Sequence, residues 1–189
     1  TSGVVCLLDQ VYEKVNKIDV LVNNAGIYIP VPFEELESES WLDFWQKTMN
    51  VNLHSPAYLS FRVARKMISQ SLEGKIINIS SRGAFRGEPD AIAYGASKAG
   101  MNAMSQSMAQ ALAKHNIFVY TIAPGFVATE MSDYIMKSDE GEKIKSQSPL
   151  NRIAQPEEIA KTALFLAGEK NEFMTGAIID INGASYLRS

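Results

Sequence analysis

Tyr94 and Lys98 stand four residues apart in Y-G-A-S-K, with only small residues between them, inside the run AIAYGASKAGMNAMSQSMAQALAKHN. On a helix this spacing puts both side chains on one face. A phenol with a pKa of ~10 is a poor proton donor or acceptor at neutral pH. An ammonium about 5 Å away, at an effective dielectric of ~20, favours phenolate by roughly 3 kcal/mol, about a hundredfold in the ionisation equilibrium. A tyrosine so tuned can exchange a proton with a carbonyl or alcohol oxygen while hydride moves at carbon. The same pair also fits a solvated helix face, and an isolated Tyr-x-x-x-Lys arises readily by chance. The choice rests on the other polar motifs: N-N-A-G (23–26), Asn52 in M-N-V-N-L, Ser80-Ser81, and Pro124-Gly125 ahead of Val127 and Thr129.

These motifs have to be positioned by the elements around them. Val4, Val5, Leu8, Val11, Tyr12 and Val15 recur at helical spacing, so the opening segment reads as an amphipathic helix. IDVLVNNAG (18–26), KIINIS (75–80), IFVYTIAPG (117–125) and GAIIDING near the end are short apolar runs that close in turn chemistry, the pattern of fully buried strands. A long helical stretch is expected from Trp41 to Ser71, broken by Gly74. A helix carrying Tyr94 follows the loop SRGAFRGEPDA, and QPEEIAKTALFLAG has the proline-first, glycine-last asymmetry of another helix. Residues 126–148 are polar and weakly patterned, the character of a mobile flap over a site. Apolar strands alternating with helices imply a doubly wound parallel α/β sheet, Rossmann-like and covered on both faces. Ligands bind such sheets beyond the carboxyl ends of the strands, and N-N-A-G, S-S and P-G all fall there.

At 46% hydrophobic and 21% charged residues the composition is that of a globular chain, not a disordered one. A net charge of -3 gives no electrostatic basis for binding nucleic acid or an anionic membrane. One cysteine, Cys6, excludes an intrachain disulfide framework and fits a reducing compartment, so a cytoplasmic location is expected. No apolar run reaches the length of a membrane span, and T-S-G-V-V-C-L-L-D-Q carries no basic leader or cleavage site. His54 and His115 have no metal-like partners, so no metal site is expected.

The ordered set N-N-A-G, Asn52, Ser81, Tyr94 thirteen residues later, Lys98, and P-G before Thr129 resembles the short-chain dehydrogenase/reductase family along essentially the whole chain. N-V-N-L, A-P-G-F-V-A-T-E-M and F-M-T-G look closest to its 3-oxoacyl-(acyl carrier protein) reductases. The resemblance implies a catalytic set of Asn52, Ser81, Tyr94 and Lys98. It places Lys98 on the nicotinamide ribose and gives Asn52 a water in a proton relay. It puts Asn23, Ala25 and Gly26 on the adenosine-ribose side, and Pro124, Gly125, Val127 and Thr129 at the nicotinamide. The expected cofactor is NAD or NADP, with NADP favoured. The expected substrate is a small carbonyl or alcohol, free or carried on acyl carrier protein, and a homotetramer is the expected assembly. A non-catalytic binding protein that kept the fold is the rival reading.

The resemblance further implies that the 189 residues are one Rossmann-like domain lacking the first strands and the Gly-rich phosphate-binding turn, the segment that also selects NAD or NADP. Met101, Met104 and Met108 read as packing residues, Ser80 as a structural neighbour of Ser81, and Arg82 and Arg86 as solvated loop charges.

Overall fold

A computed structural model describes residues 2–35 and 37–188. Four strands, β1 (Val20–Asn23), β2 (Gly74–Ile79), β3 (Ile117–Pro124) and β4 (Ile178–Ile181), form one parallel sheet in the order β1-β2-β3-β4. Between them run helices α1 (Ser2–Lys14, ahead of β1), α2 (Ser38–Met49), α3 (Ser55–Ser69), α4 (Ile92–Leu112), α5 (Glu130–Met136), α6 (Glu140–Ser146) and α7 (Pro156–Ala167). This is the doubly wound architecture expected from the apolar runs. Thr1 and the side chain of Val5, which enters the opening periodicity, lie outside what is described.

Successive strand residues point to opposite faces, and each face has its own core. Ile76 and Val119 pack with Leu8 of α1, Val63 and Met67 of α3, and Ala109 and Leu112 of α4. Ile77, Tyr120 and Ile122 pack on the other face with Ile159 and Leu166 of α7. Burial on both faces is why these strands are apolar at consecutive positions instead of alternating.

One expectation needs correcting. The long helix is not continuous: residues 50–54, N-V-N-L-H, form a π-helical turn between α2 and α3. Such insertions rotate one residue out of the helical register and are frequent at functional sites. Pro56, in the first turn of α3, lacks the N–H that such a position leaves unused. The flap at 126–148 folds into α5 and α6, and Met131, Ser132 and Ile135 of α5 line the cleft described below. Thr129 and Ser132 cap α5 reciprocally, and Lys143–Glu140 and Lys145–Glu142 contacts of 2.6 Å line α6. Among the described residues no helix is long and apolar enough to cross a membrane, and no cluster of metal-ligating side chains occurs.

Candidate active site

The strand ends, α5 and α7 enclose a cleft of about 570 Å³. Gly26, Ser81, Tyr94, Lys98, Pro124, Gly125, Val127 and Thr129 all line it. Ser81 leaves the end of β2 and caps a short 3-10 turn, its Oγ accepting the Gly83 N–H at 3.0 Å. That bond uses one lone pair of the hydroxyl and leaves its proton to donate, here in the hydrogen bond with Tyr94.

Tyr94 lies in the first turn of α4, where the positive end of the helix dipole favours an anion. Its ring meets Tyr28 edge-on, centroids 5.1 Å apart. Lys98 sits one turn on, Nζ 5.8 Å from the Tyr94 ring centroid and donating to the Ile79 carbonyl at 2.8 Å. The helical spacing thus delivers the juxtaposition expected of it. The electrostatic consequence differs. Burial pushes the Tyr94 phenol above its ordinary range, while hydrogen bonding with Ser81 pulls it down and the charge of Glu88 raises it further. Burial also lowers Lys98 to about 8. Burial is thus the largest cause of both shifts, and Lys98 is not among the causes that act on Tyr94.

Asn52 is fully buried in the π-helical turn. Its Oδ1 accepts the Ile27 N–H and its Nδ2 donates to the Ile27 carbonyl, each at 2.9 Å, with a further contact to Ser97 Oγ at 3.2 Å. Asn52 therefore clamps the backbone immediately after N-N-A-G. A Cβ on Gly26 would stand 3.5 Å from Asn52 Oδ1 and 3.6 Å from Lys98 Nζ, so Gly26 keeps open the space between them. Gly125 answers a different need: a Cβ there would come within 3.1 Å of Asn182, where the ends of β3 and β4 converge.

Asn23 and Ala25 are not brought to the cleft wall, and Asn24 lines it instead. Asn23 faces inward, its Nδ2 donating to Ser60 Oγ at 2.9 Å and Asn78 Oδ1 at 2.7 Å. The reason is strand alternation, which turns one of two adjacent asparagines inward. Arg82 is the clearest departure from the sequence reading. It is 3% exposed, not a solvated loop charge. Tyr28, Glu88, Phe126 and Met131 also line the cleft and were not singled out. The aromatic and apolar residues there follow motif ends directly, a signal that chain order alone could have offered.

The cleft fits the nicotinamide-ribose end of a dinucleotide. Lys98 Nζ has one acceptor, leaving two of its three N–H groups for hydroxyls. Gly26 leaves room beside it, and the flanking wall of Val127, Ile159 and Ala163 is apolar enough to accept a ring.

Residues 2–184 match the family model described as enoyl-(acyl carrier protein) reductase. The 3-oxoacyl-(acyl-carrier-protein) reductase of Aquifex aeolicus is 38% identical over 94% of this chain and 69% of its own length. The acetoacetyl-CoA reductase of Allochromatium vinosum is 39% identical over 96% of this chain and 71% of its own. The structure of a gluconate 5-dehydrogenase from Burkholderia cenocepacia, in complex with NADP and tartrate, superposes with a TM-score of 0.88 at 29% identity, covering 97% of this chain and 71% of that one. The chain belongs to the short-chain dehydrogenase/reductase family of NAD(P)-dependent oxidoreductases.

Proposed function

We propose that the protein interconverts a ketone and a secondary alcohol with Tyr94 as the acid/base, Ser81 as the donor to the reacting oxygen, and Lys98 and Asn52 as its support. The observation that carries this reading is the convergence of the Ser81 hydroxyl, the Tyr94 phenol and the buried Lys98 ammonium on one cleft wall. A bound nicotinamide supplies or accepts the hydride. Ser81, with Oγ already accepting from Gly83, donates to the substrate oxygen as charge develops on it. Tyr94 gives its proton to that oxygen in reduction and takes it back in oxidation. A buried, raised phenol suits the donor role. Lys98 holds ribose hydroxyls and stabilises the phenolate left after transfer. Asn52 keeps the Ile27 backbone fixed so that Gly26 and Lys98 stay in register. Pro124, Gly125, Val127 and Thr129 form the nicotinamide side, with the β-bridge between Val127 and Ala154 stiffening it. A role for Asn23 and Ala25 in the adenosine-ribose site would act through the backbone fold of N-N-A-G, because the Asn23 side chain is engaged inside.

A small free substrate is the reading we favour over one on acyl carrier protein. An acidic carrier needs exposed, unpaired bases near the entrance. Arg62 pairs with Asp9 at 3.2 Å, Arg86 pairs with Glu88 at 3.3 Å, and Arg82 is buried, so these three arginines are engaged or withdrawn. A thioester on the carrier is the second reading, favoured by the name of the reductase at 38% identity, while the one at 39% is named for a CoA thioester. The test is kcat/KM for an acyl-carrier thioester against short thioesters and free ketones, at low and high salt with NADH and NADPH. Small substrates are expected to be turned over at least as efficiently, with no salt dependence. A carrier preference that fades with salt reverses the choice.

A further inference from the structure

We propose that Arg82 is a specificity residue that holds the carboxylate of a short hydroxy or keto acid in the cleft beside Ser81 and Tyr94. This rests on the oxidoreductase reading above and names its substrate class.

A guanidinium that is 3% exposed has lost most of its water, which is costly unless an anion or a full set of acceptors replaces it. Neither is present in full. Nη1 donates to Ser185 Oγ and Nη2 to Gln147 Oε1, each at 2.6 Å, and the group lies 5.0 Å over the Phe126 ring. These are neutral partners and engage two of five N–H groups. Among the described residues no carboxylate stands within ion-pair distance of it. Glu88 is near enough for its charge to be felt, but its own ion pair is with Arg86. Glu158, which lines the small hollow adjoining Arg82, is taken by Arg152 at 2.7 Å. Of the charged residues lining the cleft, Arg82 and Lys98 are thus the cations without a carboxylate partner.

Lys98 is accounted for by the cofactor side, which leaves Arg82. Ser185, Gln147 and Phe126 fix its fork from three separate segments, the pre-organisation that favours planar, two-pronged recognition of a carboxylate. Arg82 lines the same cleft as Ser81 and Tyr94, so a carboxylate held by it would share that space with the reacting oxygen. A thioester offers no anion there.

The experiment uses the holoenzyme with lactate, 3-hydroxybutyrate and gluconate, each against its methyl ester. At least one acid is expected to exceed its ester by roughly 10²-fold in kcat/KM. Arg82→Met should remove that preference and leave ester turnover within a few-fold, and Arg82→Lys should retain part of it. Wild-type efficiencies equal for every acid–ester pair would overturn the proposal while leaving the oxidoreductase reading intact. A parallel fall of acid and ester in both variants would make Arg82 a structural latch and also overturn it. Calorimetric titration of the acids covers the case in which no substrate turns over and the oxidoreductase reading itself fails. Binding by wild type that Arg82→Met loses supports the carboxylate site, and equal or absent binding in both contradicts it.

Discussion

Lys98 is buried without a carboxylate, and that has a cost separable from its chemistry. Its native pKa of about 8 lies below the ordinary 10.5 because burial disfavours the charge. Between those values the unfolded chain binds a proton that the native chain lacks, so this residue makes stability rise with pH across that window. Below pH 8 the native state carries an unfavourable buried ammonium. Lys98→Met is therefore expected to raise the melting temperature at pH 7, by a stability gain on the order of 3 kcal/mol, while cofactor affinity falls sharply. Thermal unfolding from pH 7 to 10.5 should show the wild type gaining on the variant. A variant less stable at pH 7 would show that the bond to the Ile79 carbonyl outweighs desolvation.

At the scale of elements, the π-helical turn is what turns Asn52 toward Ile27. Asn52→Ala leaves the Ile27 N–H and carbonyl without their partners and is expected to cost about 2 kcal/mol by chemical denaturation. It should also lower kcat, since the loop carrying Gly26 loosens. Unchanged stability would mean the clamp contributes nothing. The strands, the Tyr94 helix and the line of motifs at the strand ends were legible in the sequence because apolar runs and turn residues act locally. The π-helical turn was not, since N-V-N-L-H sits between ordinary helix formers and its register is set by Ile27, on another element. Arg82 was misread for the same kind of reason. Its loop is rich in glycine and charge, and its burial depends on Gln147 and Ser185, 65 and 103 residues away along the chain. The two short helices of the flap were not read, because the polarity of the stretch hid the acidic-then-basic spacing of α6.

For the whole molecule, the apolar residues that do not enter either core fall in groups. Met67, Met101 and Leu112 are core residues and contribute to no exposed face. Leu42 and Phe61 remain exposed on α2 and α3, as do Leu164 and Phe165 on α7 with Phe173 close behind in the chain. Two separate apolar faces of this kind suit two different two-fold contacts. A homotetramer is the expected assembly, and Phe165→Glu should reduce it to a dimer without unfolding the protomer. Light scattering at micromolar concentration checks both; a monomeric wild type contradicts the expectation.

The central claim is that Tyr94 moves the proton while hydride moves at the nicotinamide. It is tested most directly by Tyr94→Phe in the holoenzyme, followed at the nicotinamide absorbance band with a short ketone under saturating cofactor. The ring packing against Tyr28 survives the change, so fold and cofactor binding should be retained. Turnover is expected to drop by roughly 10²–10⁴-fold, the contribution of a positioned acid/base. Turnover within a few-fold of wild type, with the cofactor still bound, would remove Tyr94 from that role and contradict the account.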